Sequence, residues 1–241
     1  MKAVILSGGE GTRLRPLTLT RPKPLTSLFD RPVAEHIIGL LARSGITDIC
    51  LTLRYMSRAI MDALGDGSTL GVSLHYFPET EPLGTAGGVK RCMEVLGEED
   101  FLVISGDAVC DIDLRCVMGF HQTRPSGATL VLHRHSAPVD YGLVLTDQEG
   151  RVEGFLEKPA WGEVLTDLVN TGIYILTPQA MVQVPEGKPF DFARDLFPLL
   201  LRQGVPLYGF EASGYWCDMG ECQAYLRCAA DALSGKVSLD L

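Results

Sequence analysis

Residues 7–24 read SGGEGTRLRPLTLTRPKP, a glycine cluster followed by four cations, directly behind an apolar run at residues 3–6. Gly8, Gly9 and Gly11 carry no Cβ, so they can take positive φ and bring backbone N–H groups against phosphate oxygens, as a concave anion nest requires. Arg13 adds a planar guanidinium fork and Lys23 a mobile point charge. No Asp or Glu lies between Gly11 and Phe29 to neutralise Arg13, Arg15, Arg21 and Lys23. The chemistry this pattern fits is the grip of a polyphosphate. A plain glycine-rich turn between strand and helix is common in α/β proteins, but such a turn does not need four cations. Two familiar phosphate motifs do not fit. A P-loop needs Gly-Lys-Ser/Thr, and here Gly11-Thr12 leads to Arg13. A dinucleotide fingerprint counted from Gly9 would place Leu14 at its third glycine and Pro16 where the helix should run.

Further polar residues fall at strand ends and in loops. Residues 103–107, VISGD, put Asp107 just beyond a buried strand, with Gly106 allowing a sharp turn. On these residues alone Asp107 could equally cap that turn. Asp218, in the YWCDMG of residues 215–220, could be the N-cap of the last helix. Asp111 and Asp113 read as solvated loop charges in preference to spare ligands. Glu157-Lys158 has the look of an exposed strand-end pair. Residues 81–88, EPLGTAGG, read as a capping loop with Thr85 as N-cap, next to the positive end of a helix dipole. His133 and His135 alternate on an expected strand, where satisfied surface histidines are favoured over a metal site.

The elements that must position these residues follow from periodicity. Strand-like runs at 3–6, 49–53, 72–77 and 101–105 alternate with helical patterns at 34–43, 57–64 and 86–96. The first two helices stop at Gly45 and Gly65. This alternation predicts βαβ crossovers and an α/β fold, with a mostly parallel sheet whose ligands sit at the carboxyl ends of strands. Beyond residue 125 the character changes. Short strands at 128–133, 143–145, 152–156 and 172–176 suggest a small mixed-sheet substrate region, followed by helices at 192–202 and 222–233. One domain over 1–241 is expected, in two halves that divide at about residue 125.

With 241 residues, 46% of them hydrophobic, the chain can bury a substantial core. The 30 acidic against 21 basic residues argue against a nucleic-acid or membrane partner, since both need a broad basic surface. Seven cysteines without a C-x-x-C pair suggest buried thiols in a reducing cytoplasm, with no disulfide framework or zinc site.

The string Gly8-Gly9-x-Gly11-Thr12-Arg13-Leu14-x-Pro16-Leu17-Thr18, with Pro22-Lys23-Pro24 after it, resembles the signature of the sugar-1-phosphate nucleotidyltransferases. The resemblance continues through Leu83-Gly84-Thr85-Ala86-Gly87, Gly106-Asp107, Glu157-Lys158-Pro159, Asn170-Thr171-Gly172 and Trp216-x-Asp218-x-Gly220. It implies the Rossmann-like nucleotide-diphospho-sugar transferase fold, with a nucleotide-binding half over about 1–125 and a sugar-phosphate-binding half over about 126–241, and attack by a sugar 1-phosphate on the α-phosphorus of a nucleoside triphosphate, expelling pyrophosphate. Arg13, Lys23, Asp107 and Asp218 would then be catalytic, with Asp107 and Asp218 as the Mg²⁺ ligands. Leu6, Gly8, Gly9, Gly11, Thr12, Arg13, Glu81, Gly84 and Thr85 would bind the nucleotide. Gly142, Glu157, Lys158, Asn170 and Thr171 would bind the sugar phosphate. The Leu-Gly-Thr-Ala-Gly segment looks most like guanylyltransferases acting on mannose 1-phosphate, so GTP is the favoured nucleotide. Uridylyl or thymidylyl transfer to glucose 1-phosphate, guanylyl transfer to a heptose phosphate, and a non-catalytic nucleotide-sugar sensor are the alternatives. Ser105 departs from the Asn frequent in the family. Many relatives continue into a left-handed β-helix or a further enzyme domain; this sequence is expected to be a compact member or an excised catalytic domain. Homo-oligomerisation is left open.

Overall fold

The computed structural model describes residues 1–239. Asp240 and Leu241, the end of the expected domain, lie outside the described residues. In chain order the elements are β1 (Lys2–Ser7), β2 (Ser27–Leu28), β3 (Arg31–Pro32), α1 (Val33–Arg43), β4 (Asp48–Leu53), α2 (Ser57–Leu64) and β5 (Ser73–Pro78). Next come α3 (Gly84–Arg91), α4 (Met93–Leu96), β6 (Phe101–Ser105), β7 (Ala108–Cys110), α5 (Leu114–Gln122), β8 (Ala128–Arg134), β9 (Gly142–Thr146), β10 (Val152–Glu157) and β11 (Leu168–Leu176). The chain then forms α6 (Phe197–Arg202), β12 (Leu207–Glu211), β13 (Trp216–Asp218) and α7 (Cys222–Leu233).

Nine strands make one mixed sheet with the path β10-β9-β11-β6-β1-β4-β5, and β8 joins β11 to β12. The segment β6-β1-β4-β5 is parallel, as the crossovers require, and β11 runs antiparallel to β6. Both faces are covered, which explains the near-continuous apolar strands. Ala3, Ile5, Ile49, Leu51, Leu102 and Ile104 pack on one side with Ile37, Ile38 and Leu41 of α1 and Val117 of α5. Val4, Cys50, Phe101 and Val103 pack on the other with Val89 of α3 and Leu200 of α6.

Local chemistry sets the boundaries. The α1 helix ends in a Schellman motif, with Gly45 at φ 82° and N–H bonds from Gly45 to the Ala42 carbonyl and from Ile46 to the Leu41 carbonyl. The helix expected over 86–96 starts earlier, at Gly84, and is interrupted at Cys92, where i→i+3 bonds from Cys92 to Val89 and from Val95 to Cys92 tighten the turn. The helix expected over 192–202 opens as a π-helical turn, Phe192–Leu196. Six elements escaped periodicity: α5, β12, and the short pairs β2 with β3 and β7 with β13. Asp113 is no free loop charge, since it accepts the Arg115 N–H and N-caps α5. Asp111 accepts the N–H groups of Tyr215 and Ser238. The seven thiols are free, but Cys116 is exposed and Cys222 partly so, contrary to the expectation that all are buried.

Gly106 allows β6 to approach β1 as it turns. A methyl group there would lie 2.5 Å from Ser7 Oγ and 2.7 Å from the Leu6 carbonyl oxygen. Gly106→Ala is therefore expected to cost about 1–3 kcal/mol in urea unfolding. Gly119→Ala, at an exposed position of α5 with nothing within 4 Å of the new methyl, is expected to stabilise by about 0.5–1 kcal/mol.

Candidate active site

The parallel strands deliver their carboxyl ends to one edge, and the functional residues gather there. After β1 the glycine loop turns through Gly11, at φ 63°, into a 3₁₀ turn at Thr12–Leu14. The Thr18 hydroxyl donates to the Gly11 carbonyl at 2.7 Å. Any Cβ at Gly11 would press on Thr18 and Lys23 at 3.1–3.2 Å. Lys23 itself opens a second 3₁₀ turn, Lys23–Leu25, held between Pro22 and Pro24. Leu6, Gly9, Gly11, Thr12, Arg13, Lys23, Gly106 and Asp107 line one cleft of about 300 Å³, completed by Gly220. Arg15 and Arg21 do not line it, and Arg21 donates instead to Ser27 Oγ at 3.0 Å. The cationic run thus divides into two residues that face the cleft and two that do not.

The antiparallel ribbon of β7 and β13 explains how two distant acids meet. Asp107 precedes β7, Asp218 ends β13, Asp218 pairs with Ala108, and the Met219 N–H donates to the Asp107 carbonyl at 3.0 Å. Lys23 Nζ bonds an Asp107 carboxylate oxygen and lies 4.0 Å from Asp218 Oδ1. Neither acid is a helix cap: Glu221 occupies the N-cap of α7. Burial and the neighbouring Asp107 charge push the Asp218 carboxyl up to about 6, against the pull of Lys23 and Arg13. Asp218 Oδ1 is buried without a hydrogen-bond partner. Asp218 itself lies behind the cleft lining; a methyl at Gly220 would lie 3.0 Å from Arg13 Nη2 and 3.1 Å from Asp218 Oδ1, so a bare Gly220 leaves room for both groups.

A second cavity of about 340 Å³ adjoins the first and is lined by Leu6, Gly8, Gly9, Thr52, Arg54, Glu79, Gly84, Thr85 and Asp191. Glu79, one residue beyond β5, occupies the place expected for Glu81, which is exposed and absent from the lining. Burial raises the Glu79 carboxyl above its usual range. Glu81 is the residue expected from sequence, and Glu79, two residues before it, is the one that expectation passed over. Thr85 is not the N-cap of α3. Its hydroxyl donates to Asp191 Oδ1 at 3.1 Å and accepts the Phe192 N–H at 3.0 Å, while the Ala86 and Gly87 N–H groups donate to the Phe190 carbonyl. The start of α3 is thus capped by a segment more than 100 residues later.

Across β11 a third cavity is lined by Gly142, Leu143, Phe155, Leu156, Glu157, Asn170, Ala193, Arg194 and Pro198. A Cβ at Gly142 would lie 3.0 Å from Glu157 Oε2, so glycine admits that carboxylate. The pairing of β11 with β8 breaks between Asn170 and Tyr174, where Gly172 takes φ 76°. Thr171 does not join this lining. It is buried, and its hydroxyl donates to the Val131 carbonyl at 2.7 Å. Lys158 follows β10 with φ 45°, a conformation uncommon outside glycine, and its exposed side chain lines none of these three cavities. His133 Nε2 donates to the Gly214 carbonyl, and His135 Nδ1 accepts the Ala137 N–H.

One edge of the mixed α/β sheet thus carries a cationic glycine loop and paired carboxylates, a charge pattern suited to phosphate groups. The chain belongs to the nucleotidyl transferase family, whose model matches residues 2–235. It is 37% identical over 234 residues to a mannose-1-phosphate guanylyltransferase of Mycobacterium tuberculosis, covering 97% of this chain and 65% of the relative. It is 34% identical to a UTP–glucose-1-phosphate uridylyltransferase of Synechocystis, covering 98% and 64%. The chain therefore spans just under two thirds of the length of these curated relatives. Among solved structures, HddC of Yersinia pseudotuberculosis complexed with GMP-PN superposes with a TM-score of 0.81 at 26% identity, over 96% of this chain and 99% of that one. Among the described residues no helix is long and apolar enough to cross a membrane.

The strained Asp218 yields a stability prediction. Its folded value lies above the ordinary carboxylate value, so the native state holds the proton more tightly and stability falls as pH rises from about 4 to about 6. Asp218→Asn is expected to raise Tm at pH 8 in EDTA by several degrees, at roughly 2–4 °C per kcal/mol for a chain of this size. The gain should vanish below pH 4; differential scanning calorimetry across pH checks both limits.

Proposed function

We propose that this chain transfers a nucleotidyl group from a nucleoside triphosphate to a sugar 1-phosphate, with GTP and mannose 1-phosphate as the favoured pair. The observation that carries this reading is the convergence of Arg13, Lys23, Asp107 and Asp218 on one glycine-lined edge. A phosphate oxygen of the sugar 1-phosphate attacks the α-phosphorus, a new P–O bond forms, the bond to the β-phosphate breaks, and pyrophosphate leaves. The attacking oxygen is already anionic, so no protein nucleophile is required. The obstacle is repulsion between polyanions: at an effective dielectric near 20, each unit charge pair ~4 Å apart is worth about 4 kcal/mol. Arg13 and the loop N–H groups would hold the triphosphate, Arg13 on the departing pyrophosphate, and Lys23 would lie near the α-phosphate. Lys158 would hold the sugar phosphate, while Glu157, Asn170 and Gly142 meet the sugar.

Asp107 and Asp218 would hold Mg²⁺. The fit rests on the orphaned Oδ1 of Asp218 and on two carboxylates gathered about one ammonium. Mg²⁺ favours one or two carboxylates completed by substrate phosphates and water. Bound there, the ion would supply charge neutralisation and a template for the phosphates.

Glu79 supports GTP. A carboxylate can accept both the N1–H and the 2-amino group of guanine, a paired donor edge that uracil and thymine lack. The family relatives named for guanylyl transfer agree with this reading. A single domain with a nucleotide half and a sugar half, working in the cytoplasm, goes with it.

Pyrophosphate release measured over a grid of GTP, UTP and dTTP against mannose, glucose and heptose 1-phosphates tests the proposal. Turnover is expected to be fastest with GTP and mannose 1-phosphate; a blank response to every GTP pair refutes the preference. Asp107→Asn and Asp218→Asn are each expected to lower kcat by at least ~10²-fold while leaving the fold intact. Glu79→Gln is expected to cut the GTP-over-UTP ratio of kcat/KM by about 10–100-fold, about 1–3 kcal/mol of discrimination.

A further inference from the structure

Arg194 sits on the π-helical turn Phe192–Leu196, a geometry often retained where function demands it. It lines the Gly142–Glu157–Asn170 cavity and also a neighbouring one formed by Leu6, Thr85, Ser105, Tyr174 and Asp191. Glu157, Ala193 and Arg194 are common to both linings, so the acid and the base stand at the junction. They form no ion pair with each other, and no hydrogen bond or ion pair to another described residue engages the Arg194 side chain. A guanidinium and a carboxylate that border the same two small cavities, neither of them in a hydrogen bond or ion pair with a described residue, are a donor set and an acceptor set for a molecule carrying hydroxyls.

The turn that carries Arg194 is fixed at its start. Asp191 receives the Thr85 hydroxyl at 3.1 Å, the Phe192 N–H returns to Thr85, and the Asp191 N–H donates to Asp195 Oδ2 at 2.8 Å. Gly84, at φ 70°, and Gly87 would each place a Cβ within 2.8 Å of the backbone at Phe190 or Lys188, so the two segments meet without side chains between them. Arg194 therefore has a defined origin relative to the nucleotide loop.

We propose that Arg194 is a specificity-determining residue for the sugar, its guanidinium donating to hydroxyl oxygens of the hexose 1-phosphate while the Glu157 carboxylate accepts from hydroxyl groups. This rests on the sugar-phosphate reading above and adds to it a residue presented by the π-helical turn. Five fixed N–H donors suit several hydroxyl oxygens at once, which a lysine ammonium does not reproduce.

The test is steady-state kinetics of Arg194→Ala and Arg194→Lys with whichever nucleotide and sugar phosphate the wild-type protein uses fastest. Arg194→Ala is expected to raise KM for the sugar phosphate at least tenfold, to leave KM for the nucleotide within twofold, and to lower the discrimination among hexose 1-phosphate epimers at least fivefold. Arg194→Lys is expected to fall between. An unchanged sugar-phosphate KM, or equal rises in both KM values, overturns the assignment. Thermal melting of each variant separates misfolding from lost recognition. Wild-type protein inactive across the whole substrate grid would instead sink the transferase reading and this inference with it.

Discussion

Two carboxylates that repel one another are held on either side of one ammonium, and the arrangement of the cleft follows from that constraint. Asp107, Asp218 and Lys23 are all partly withdrawn from water, at 28%, 31% and 12% side-chain exposure. Screening is weaker there than at the surface, so repulsion and attraction both count. The raised carboxyl of Asp218 shows that repulsion and burial outweigh what the cations return. A protein keeps such a defect when the strained groups have a second partner to meet, and polyphosphate with a hard cation is the partner this charge pattern fits.

The backbone around the acids serves the same end. The β7–β13 ribbon sets Asp107 beside Asp218, Gly106 lets β6 turn against β1, and Gly220 leaves space for Arg13 and Asp218 together. Cations alone at this edge would hold any anion. Acids alone would repel one. Their mixture favours a ligand that brings both phosphate oxygens and a metal, which is a sharper demand than net charge.

Much of this was legible in the chain. The glycine loop, the acid after β6 and the alternation of β1, α1, β4, α2 and β5 follow from local rules: glycine stops, apolar strands and carboxyl-end geometry. Helix α2 and strand β6 fall on their expected residues, 57–64 and 101–105. What stayed hidden depends on partners distant in sequence. The three-residue strands β7 and β13 exist because they pair with each other, and no period can be read from three residues. Thr85 looked like a cap, but its hydroxyl is taken by Asp191, 106 positions away. Glu79 and Glu81 are alike in composition; only the direction of the chain leaving β5 sends the first into the cavity. Thr171 shares a motif with Asn170, yet the alternation of β11 turns its hydroxyl to Val131 and the core.

The capping of α3 by residues near Phe190 joins two regions that the sequence separates. A helix start leaves N–H groups without partners, and here the Phe190 carbonyl takes those of Ala86 and Gly87. Ala86 and Gly87 are buried, so water cannot take these N–H groups, and the bonds to Phe190 both satisfy them and fix the geometry. The loop at Gly84–Thr85 and the turn at Asp191–Asp195 cannot shift independently without breaking the Thr85, Phe190 and Asp191 bonds. In-line transfer between two bound phosphates needs their carriers held at a fixed separation, because misplacement of about 1 Å can cost ~10²-fold in rate. In the proposed transfer, this shared cap would fix that separation through the Phe190 carbonyl and the Thr85–Asp191 bond.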